Sequence, residues 1–206
     1  MDSATTRAAL AHLRRVDPVM ARVIRHVGPF HLVPRRGNSH FHYLARAIVY
    51  QQLSGKAAGT IHGRFCALFP RGHAVPDRVL ALSDEALRAA GLSRQKAAYL
   101  RDLAEKVHTG AVPLERVRHM SDDAIIDHLV QVKGVGRWTA QMFLMFRLGR
   151  PDVLPELDLG IQNAVQRAYG LRKRATPKDV ARIGKAWSPY SSVASWYLWR
   201  FIDDGN

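Results

Sequence analysis

Residues 130–160 read VQVKGVGRWTAQMFLMFRLGRPDVLPELDLG, and the reading of the whole chain starts from them. A helical segment ends near Val132, and a tight Gly134-Val135-Gly136 turn follows. A second helix is predicted over about 137–148. A loop over 149–157 then delivers Asp158 to the start of another helix. Two glycines one residue apart let the backbone take positive φ and admit a close neighbour. The first N–H groups of the following helix have no partner within it and carry the positive end of its dipole. Together they make a backbone cradle for an anion such as a phosphate, with Lys133 and Arg137 adding charge on either side. On the glycines alone, an ordinary helix–turn–helix corner with a glycine C-cap reads equally well.

The longer segment says more. Lys133-Gly134-Val135-Gly136-Arg137-Trp138-Thr139-Ala140, followed by Pro155 and Asp158, resembles the helix-hairpin-helix plus Gly/Pro-Asp core of a base-excision DNA glycosylase superfamily. Within it the likeness is closest to the DNA-3-methyladenine glycosylase II branch. Three further blocks in order extend the resemblance to residues 40–202. They are 41–65 (with Ala47, Ile48, Gln51, Gln52, Ser54, Ala57 and Ala58), 91–96 (Gly91-Leu92-Ser93 to Lys96), and Trp187-Ser188-Pro189-Tyr190 through Trp199. The resemblance implies an all-α, two-lobed fold with the active site in the interlobe cleft. One lobe would span about 45–150 and hold the helix-hairpin-helix at 122–148. The other would combine about 1–44 with 151–206. The separate β-rich N-terminal domain of larger relatives is not expected.

Helical punctuation runs through the chain, and strand alternation is absent. Asp17-Pro18 starts a segment through His26, with Asp as N-cap and Pro at the first helical position. A basic loop at 35–39 precedes a helix over about 40–53, which carries Tyr43, Leu44, Ala47, Ile48 and Tyr50 at helical spacing. Ser54 caps a helix through Leu68. Short helices are expected at 76–82 and 84–90, and a longer one from Ser93 to before Gly110. Ser121 starts the helix that leads into the hairpin, Thr176-Pro177-Lys178-Asp179 starts another, and a last helix spans about 190–202.

The chain has 206 residues, with 31 Lys+Arg against 17 Asp+Glu and a formal charge of +14. That excess is dispersed rather than gathered in a tail, so it belongs to a folded surface and favours a polyanionic partner. No apolar run reaches the roughly 18 residues a bilayer span needs, and no long basic amphipathic helix points to a membrane surface. The N-terminus lacks the apolar core of a signal peptide, so a cytoplasmic monomer is expected, nucleoid-associated if bacterial. Cys66, the single cysteine, excludes an intrachain disulfide and the four-cysteine iron–sulfur cluster of some related glycosylases. It is expected to be a small buried residue. Histidines are scattered apart from His40-Phe41-His42, and metal chemistry has little support in the pattern.

Position alone makes Asp158 an N-cap. The family pattern makes it the catalytic aspartate, and Glu156 is read as solvated. Breaking an N-glycosidic bond leaves positive charge on the sugar, which a nearby carboxylate stabilises while taking a proton from water. An alkylated purine already carries positive charge and leaves as a neutral base, so one carboxylate suffices. Where bifunctional relatives place a Schiff-base lysine, two residues past the second hairpin glycine, this chain has Trp138. A monofunctional hydrolase acting on 3-methyladenine- and 7-methylguanine-type bases in duplex DNA follows, with no required cofactor.

The flipped base needs a receiver and the duplex a gap-filler. Trp199 matches the family's stacking tryptophan, and Trp138 is a second aromatic face. Tyr190, His40 and Tyr43 are further pocket candidates, whereas Trp187 and Trp196 are read as core. Gln51-Gln52-Leu53 resembles the intercalating loop, and a buried helix-capping junction is the bland alternative. The family's hairpin also holds a monovalent ion, Na+ or K+, through backbone carbonyls, here those of Val130, Val132 and Val135. Relatives commonly show Pro-Tyr-Arg-Ser where this chain has Pro189-Tyr190-Ser191-Ser192, and Lys133 replaces a common hairpin proline. The rival readings are a glycosylase for hypoxanthine, etheno or oxidised bases, and a non-catalytic DNA-binding module.

Overall fold

The computed structural model describes residues 3–32 and 37–203. Among them there is no strand: the fold is all-α, as the punctuation predicts. The helices are α1 (Ser3–Val16), α2 (Pro18–Val27), α3 (His40–Tyr50), α4 (Gly55–Ala67), α5 (Pro76–Leu80), α6 (Asp84–Ala89), α7 (Arg94–His108), α8 (Asp122–Leu129), α9 (Arg137–Phe143), α10 (Leu159–Tyr169), α11 (Pro177–Gly184) and α12 (Ser191–Asp203). No helix among the described residues is long and apolar enough to cross a membrane. The expected basic loop at 35–39 lies partly outside them, at Arg35 and Arg36.

The starts of the helices are written in the side chains. Ser39, Ser54, Ser83, Ser93 and Ser121 each accept the backbone N–H three residues on. Each such cap contributes about 1 kcal/mol. Thr176 and Asp179 form a reciprocal capping box at α11.

The chain divides into two compact units. One combines Met1–Arg35 with Leu144–Asn206; the other is Arg36–Phe143. In the first, α12 packs on α10 and α2. Its core includes Ile161, Ala164, Val165, Val193, Tyr197 and Trp187. Asp17 is buried in it and fully used. It caps α2 through Val19 and Met20 N–H and also accepts Trp187 Nε1–H and the Tyr169 hydroxyl. Helix α1, which the pattern had not suggested, completes this unit. Only Ala9 and Leu13 are buried along it, so its apolar stripe is too thin to stand out.

In the second unit, α3 is the centre and packs on α4, α7 and α9. Leu44, Ile48, Phe65, Leu87, Leu100, Leu103 and Phe143 are sealed from solvent there. Helix α3 ends three residues before the expected Leu53. Gln51 turns extended (φ −54°, ψ 135°), and Gln52 takes φ 56°. Cys66 is half-buried rather than sealed. Past Phe143 the α9 backbone widens into a π turn, Leu144–Leu148.

Candidate active site and DNA interface

Asp158 is the N-cap of α10. The loop before it is closed by main-chain bonds, Glu156 N–H to Leu154 O at 3.1 Å and Asp158 N–H to Pro155 O at 3.0 Å. Gln162 Nε2 reaches back to Glu156 O at 3.0 Å. The Asp158 carboxylate is half-buried, with Oδ1 accepting Ile161 N–H at 2.8 Å and Trp199 Nε1–H at 2.9 Å. Both donors lock its orientation, and the dipole of α10 points its positive end at the same group. Leu157 and Leu159, on either side, are 49% and 58% exposed, so this corner is not packed shut.

Gly160 makes the pairing with Trp199 possible. A Cβ there would stand 3.0 Å from Asp158 Oδ1 and 3.2 Å from Trp199 Cδ1. The indole also meets the Phe146 ring, at 5.8 Å between centroids. Of the remaining candidates in this unit, Tyr190 packs edge-on against His12 at 5.5 Å. Trp187 and Trp196 are buried in the core, as read from the sequence. Ser191, which stands where relatives have arginine, donates its hydroxyl to Asp152 Oδ1 at 2.5 Å, and Ser188 holds Oδ2 at 2.6 Å. Ser192 bridges Arg150 O and Val153 N–H. Three serines thus tie the start of α12 to the 150–153 segment.

The hairpin lies in the other unit. Its turn is closed by Val135 N–H to Val132 O at 3.0 Å. Only Gly134 is in the left-handed region, at φ 79°, and a Cβ there would lie 2.1 Å from the Tyr99 ring. Gly136 has neither constraint, which corrects the expectation of two positive-φ glycines. Asp102, on α7, was not anticipated. It is buried, accepts Lys133 N–H at 2.8 Å and Lys106 Nζ at 2.7 Å, and lies 3.8 Å from Lys133 Nζ. Its only sequence signal is the Asp102–Lys106 spacing of four. Lys133 and Arg137 keep exposed side chains beside the turn.

The 51–53 loop is braced against this hairpin. Gln51 Nε2 donates to Gly134 O at 2.8 Å. Lys96 Nζ donates to Val49 O at 2.7 Å and Gln51 O at 2.8 Å, capping the C-terminus of α3. Gln51 is therefore a brace, while Gln52 and Leu53 project from the loop, exposed. Beside them is a cavity of about 720 Å³ lined by Tyr43, Tyr50, Gln52, Tyr99, Trp138 and Met142 among others. Trp138, 46% exposed, and Tyr43 thus share one aromatic hollow. His40 is placed differently, edge-on to Phe143 at 5.5 Å.

Known proteins are similar to this chain in sequence and in fold. DNA-3-methyladenine glycosylase 1 of Schizosaccharomyces pombe is 34% identical over 194 residues, covering 92% of this chain and 84% of its own. The structure of the S. pombe 3-methyladenine DNA glycosylase in complex with abasic DNA superimposes with a TM-score of 0.81 over 93% of this chain and 95% of that one. A DNA-3-methyladenine glycosidase from Bacillus halodurans gives a TM-score of 0.82 at 39% identity, covering 91% of this chain and 85% of that one. Residues 45–189, which hold the hairpin and Asp158, match the family described as HhH-GPD superfamily base excision DNA repair protein. The chain belongs to the HhH-GPD superfamily of base excision DNA repair proteins.

Proposed function

We propose that this protein is a monofunctional DNA glycosylase that hydrolyses the N-glycosidic bond of alkylated purines in double-stranded DNA. The observation that carries the reading is the Asp158–Trp199 pair: a half-exposed carboxylate at a helix N-terminus, held by an indole N–H at 2.9 Å. A relative at 34% identity over most of both chains is a DNA-3-methyladenine glycosylase by name.

The chemistry follows from charge. As the bond from C1′ to the purine nitrogen stretches, the sugar becomes an oxocarbenium-like cation, and the Asp158 carboxylate stabilises it electrostatically. Water attacks C1′ and its proton passes to the carboxylate. The bonding pair stays with the purine, which cancels the positive charge that alkylation gave it, so no general acid is needed. The indole face of Trp199, beside Asp158, suits such a cationic base, at about 0.5–2 kcal/mol. Trp138 stands in the sequence where bifunctional relatives carry a Schiff-base lysine, so water is the nucleophile.

The side chains of Lys133 and Arg137, and the hairpin N–H groups other than those of Lys133 and Val135, contact DNA phosphates. A Na+ or K+ ion on the carbonyls of Val130, Val132 and Val135 suits this turn. Val132 O accepts one hydrogen bond and keeps a second lone pair. The ion would add positive charge beside the phosphate and take no part in the bond cleavage. Gln52 is assigned as the gap-filler, because it is exposed at the loop apex and held at φ 56°, a backbone strain that recurs at functional positions. We place the enzyme in the type II branch on its blocks at 41–65 and 187–199.

The test is release of free base from methylated duplex DNA. Wild-type protein should release both 3-methyladenine and 7-methylguanine, and Asp158→Asn should lose at least about a hundredfold in rate. Near-normal excision by Asp158→Asn, or a borohydride-trapped protein–DNA adduct, would overturn the mechanism. Release of 3-methyladenine alone would overturn the type II assignment.

A further inference from the structure

Away from the hairpin, α3 and α4 bring three metal-ligating side chains together. His62 and Cys66 lie one turn apart on α4, with Cys66 Sγ 3.5 Å from His62 Nε2 and 3.7 Å from Nδ1. His42 on α3 faces them, its ring 5.5 Å from that of His62. One ligand atom from each of the three lies within 4.8 Å of the other two. Around a tetrahedral zinc, with bonds of about 2.1 Å to nitrogen and 2.3 Å to sulfur, neighbouring donors stand about 3.3–3.7 Å apart. The His62–Cys66 pair already has that spacing, and a rotamer adjustment brings His42 to it.

We propose that His42, His62 and Cys66 form a binding site for a transition-metal ion of thiolate–imidazole preference, zinc foremost, clipping α3 to α4. Two imidazoles and one thiolate are a soft-to-borderline donor set, which selects zinc over magnesium or calcium. The fourth position falls to water or to His73, whose ring is 5.9 Å from that of His42. The Cys66 thiol proton is released to solvent as the sulfur–metal bond forms, with no change of oxidation state.

Three features oppose binding and are outweighed. Burial pushes the Cys66 thiol up, a cost that bonding to a zinc-class ion overcomes because a coordinating thiol is deprotonated outright. Ala74 N–H donates to His42 Nδ1 at 3.3 Å. Ligation through Nδ1 displaces that bond, and ligation through Nε2 moves the ring proton to Nδ1, so one long hydrogen bond is exchanged for three metal–ligand bonds. Arg46 contributes a nearby positive charge, but its guanidinium is held over the Tyr50 ring, 3.8 Å from the centroid, and the Cys66 thiolate neutralises half of the dication. The clip spans the two helices that carry the 51–54 loop between them. It is a structural site, independent of the glycosylase reading.

The experiment uses tag-free full-length protein stripped with chelator and titrated with Co2+ alone, then with Zn2+. One equivalent of Co2+ should produce a near-ultraviolet thiolate-to-cobalt charge-transfer band, which Zn2+ bleaches. Cys66→Ser should abolish the band, and His62→Ala should weaken Co2+ binding by at least about tenfold. Zn2+ should raise the melting temperature of the wild type and not that of the C66S/H62A double variant. Each variant is compared with its own melting curve in chelator, which separates a folding defect from lost ligation. Absence of the thiolate band, a band unchanged in His62→Ala, or equal Zn2+-dependent melting in wild type and double variant overturns the proposal.

Discussion

The Asp158 carboxylate depends on a missing side chain. Gly160 leaves the space in which Trp199 reaches Oδ1, and a methyl there would press on both groups at 3.0–3.3 Å. Gly160→Ala should therefore lower kcat for excision about tenfold, by analogy with other small misplacements of reacting groups, while the melting temperature stays close to wild type. Steady-state kinetics alongside a melting curve separates the two. Asp102 is the counterpart at the hairpin. Burial raises its pKa, but the Lys106 hydrogen bond, the Lys133 N–H and the charges of both lysines together outweigh burial and hold it below its ordinary 3.8. A carboxylate depressed in the folded state adds stability above its unfolded pKa and loses it as pH falls through the folded value. Between about pH 5 and pH 2 the wild type should accordingly lose stability more steeply than Asp102→Asn, as read by denaturant titration at a series of pH values.

At the scale of elements, the α3–α4 corner is where sequence and structure diverge most usefully. The apolar period of α3 continues to Leu53, yet the helix stops at Tyr50. Lys96, forty-five residues further on, collects the carbonyls of Val49 and Gln51, and Gln51 anchors on the hairpin. Burial lowers the pKa of this lysine. Lys96→Met keeps the aliphatic length and removes the donors, so the loop that carries Gln52 should lose its fixed geometry. Excision from duplex DNA should fall about tenfold, with excision from single-stranded DNA nearly unchanged and Lys96→Arg restoring part of the loss. Equal losses on both substrates would show that Lys96 supports folding rather than the loop.

At the scale of the molecule, the charge of +14 on 206 residues makes DNA affinity strongly ionic. Binding to undamaged duplex should weaken about tenfold or more between 50 and 200 mM salt, with a linear log–log slope that becomes shallower by roughly one unit when Lys133 or Arg137 is removed. Fluorescence anisotropy at several salt concentrations measures both. Much of the fold and part of the site could be read without coordinates, because the signals are local. Asp17, Ser54, Ser93, Ser121 and Thr176 announce helix starts through bonds that span three residues, and Asp158 announces itself the same way as an N-cap. The all-α class and the hairpin are thus legible in the sequence alone, while the catalytic reading of Asp158 comes from the family resemblance of the segment around it. What only the tertiary structure decided lies at long separation. It joins Trp199 to Asp158 across 41 residues, Lys133 to Asp102 across 31, and His42 to the His62–Cys66 pair. It also buries Asp17 with Trp187 and Tyr169, and assigns the positive φ to Gly134 and not Gly136. The physical reason is that capping and periodicity act within a turn or two of chain, whereas these contacts exist only once packing has fixed which helices are neighbours.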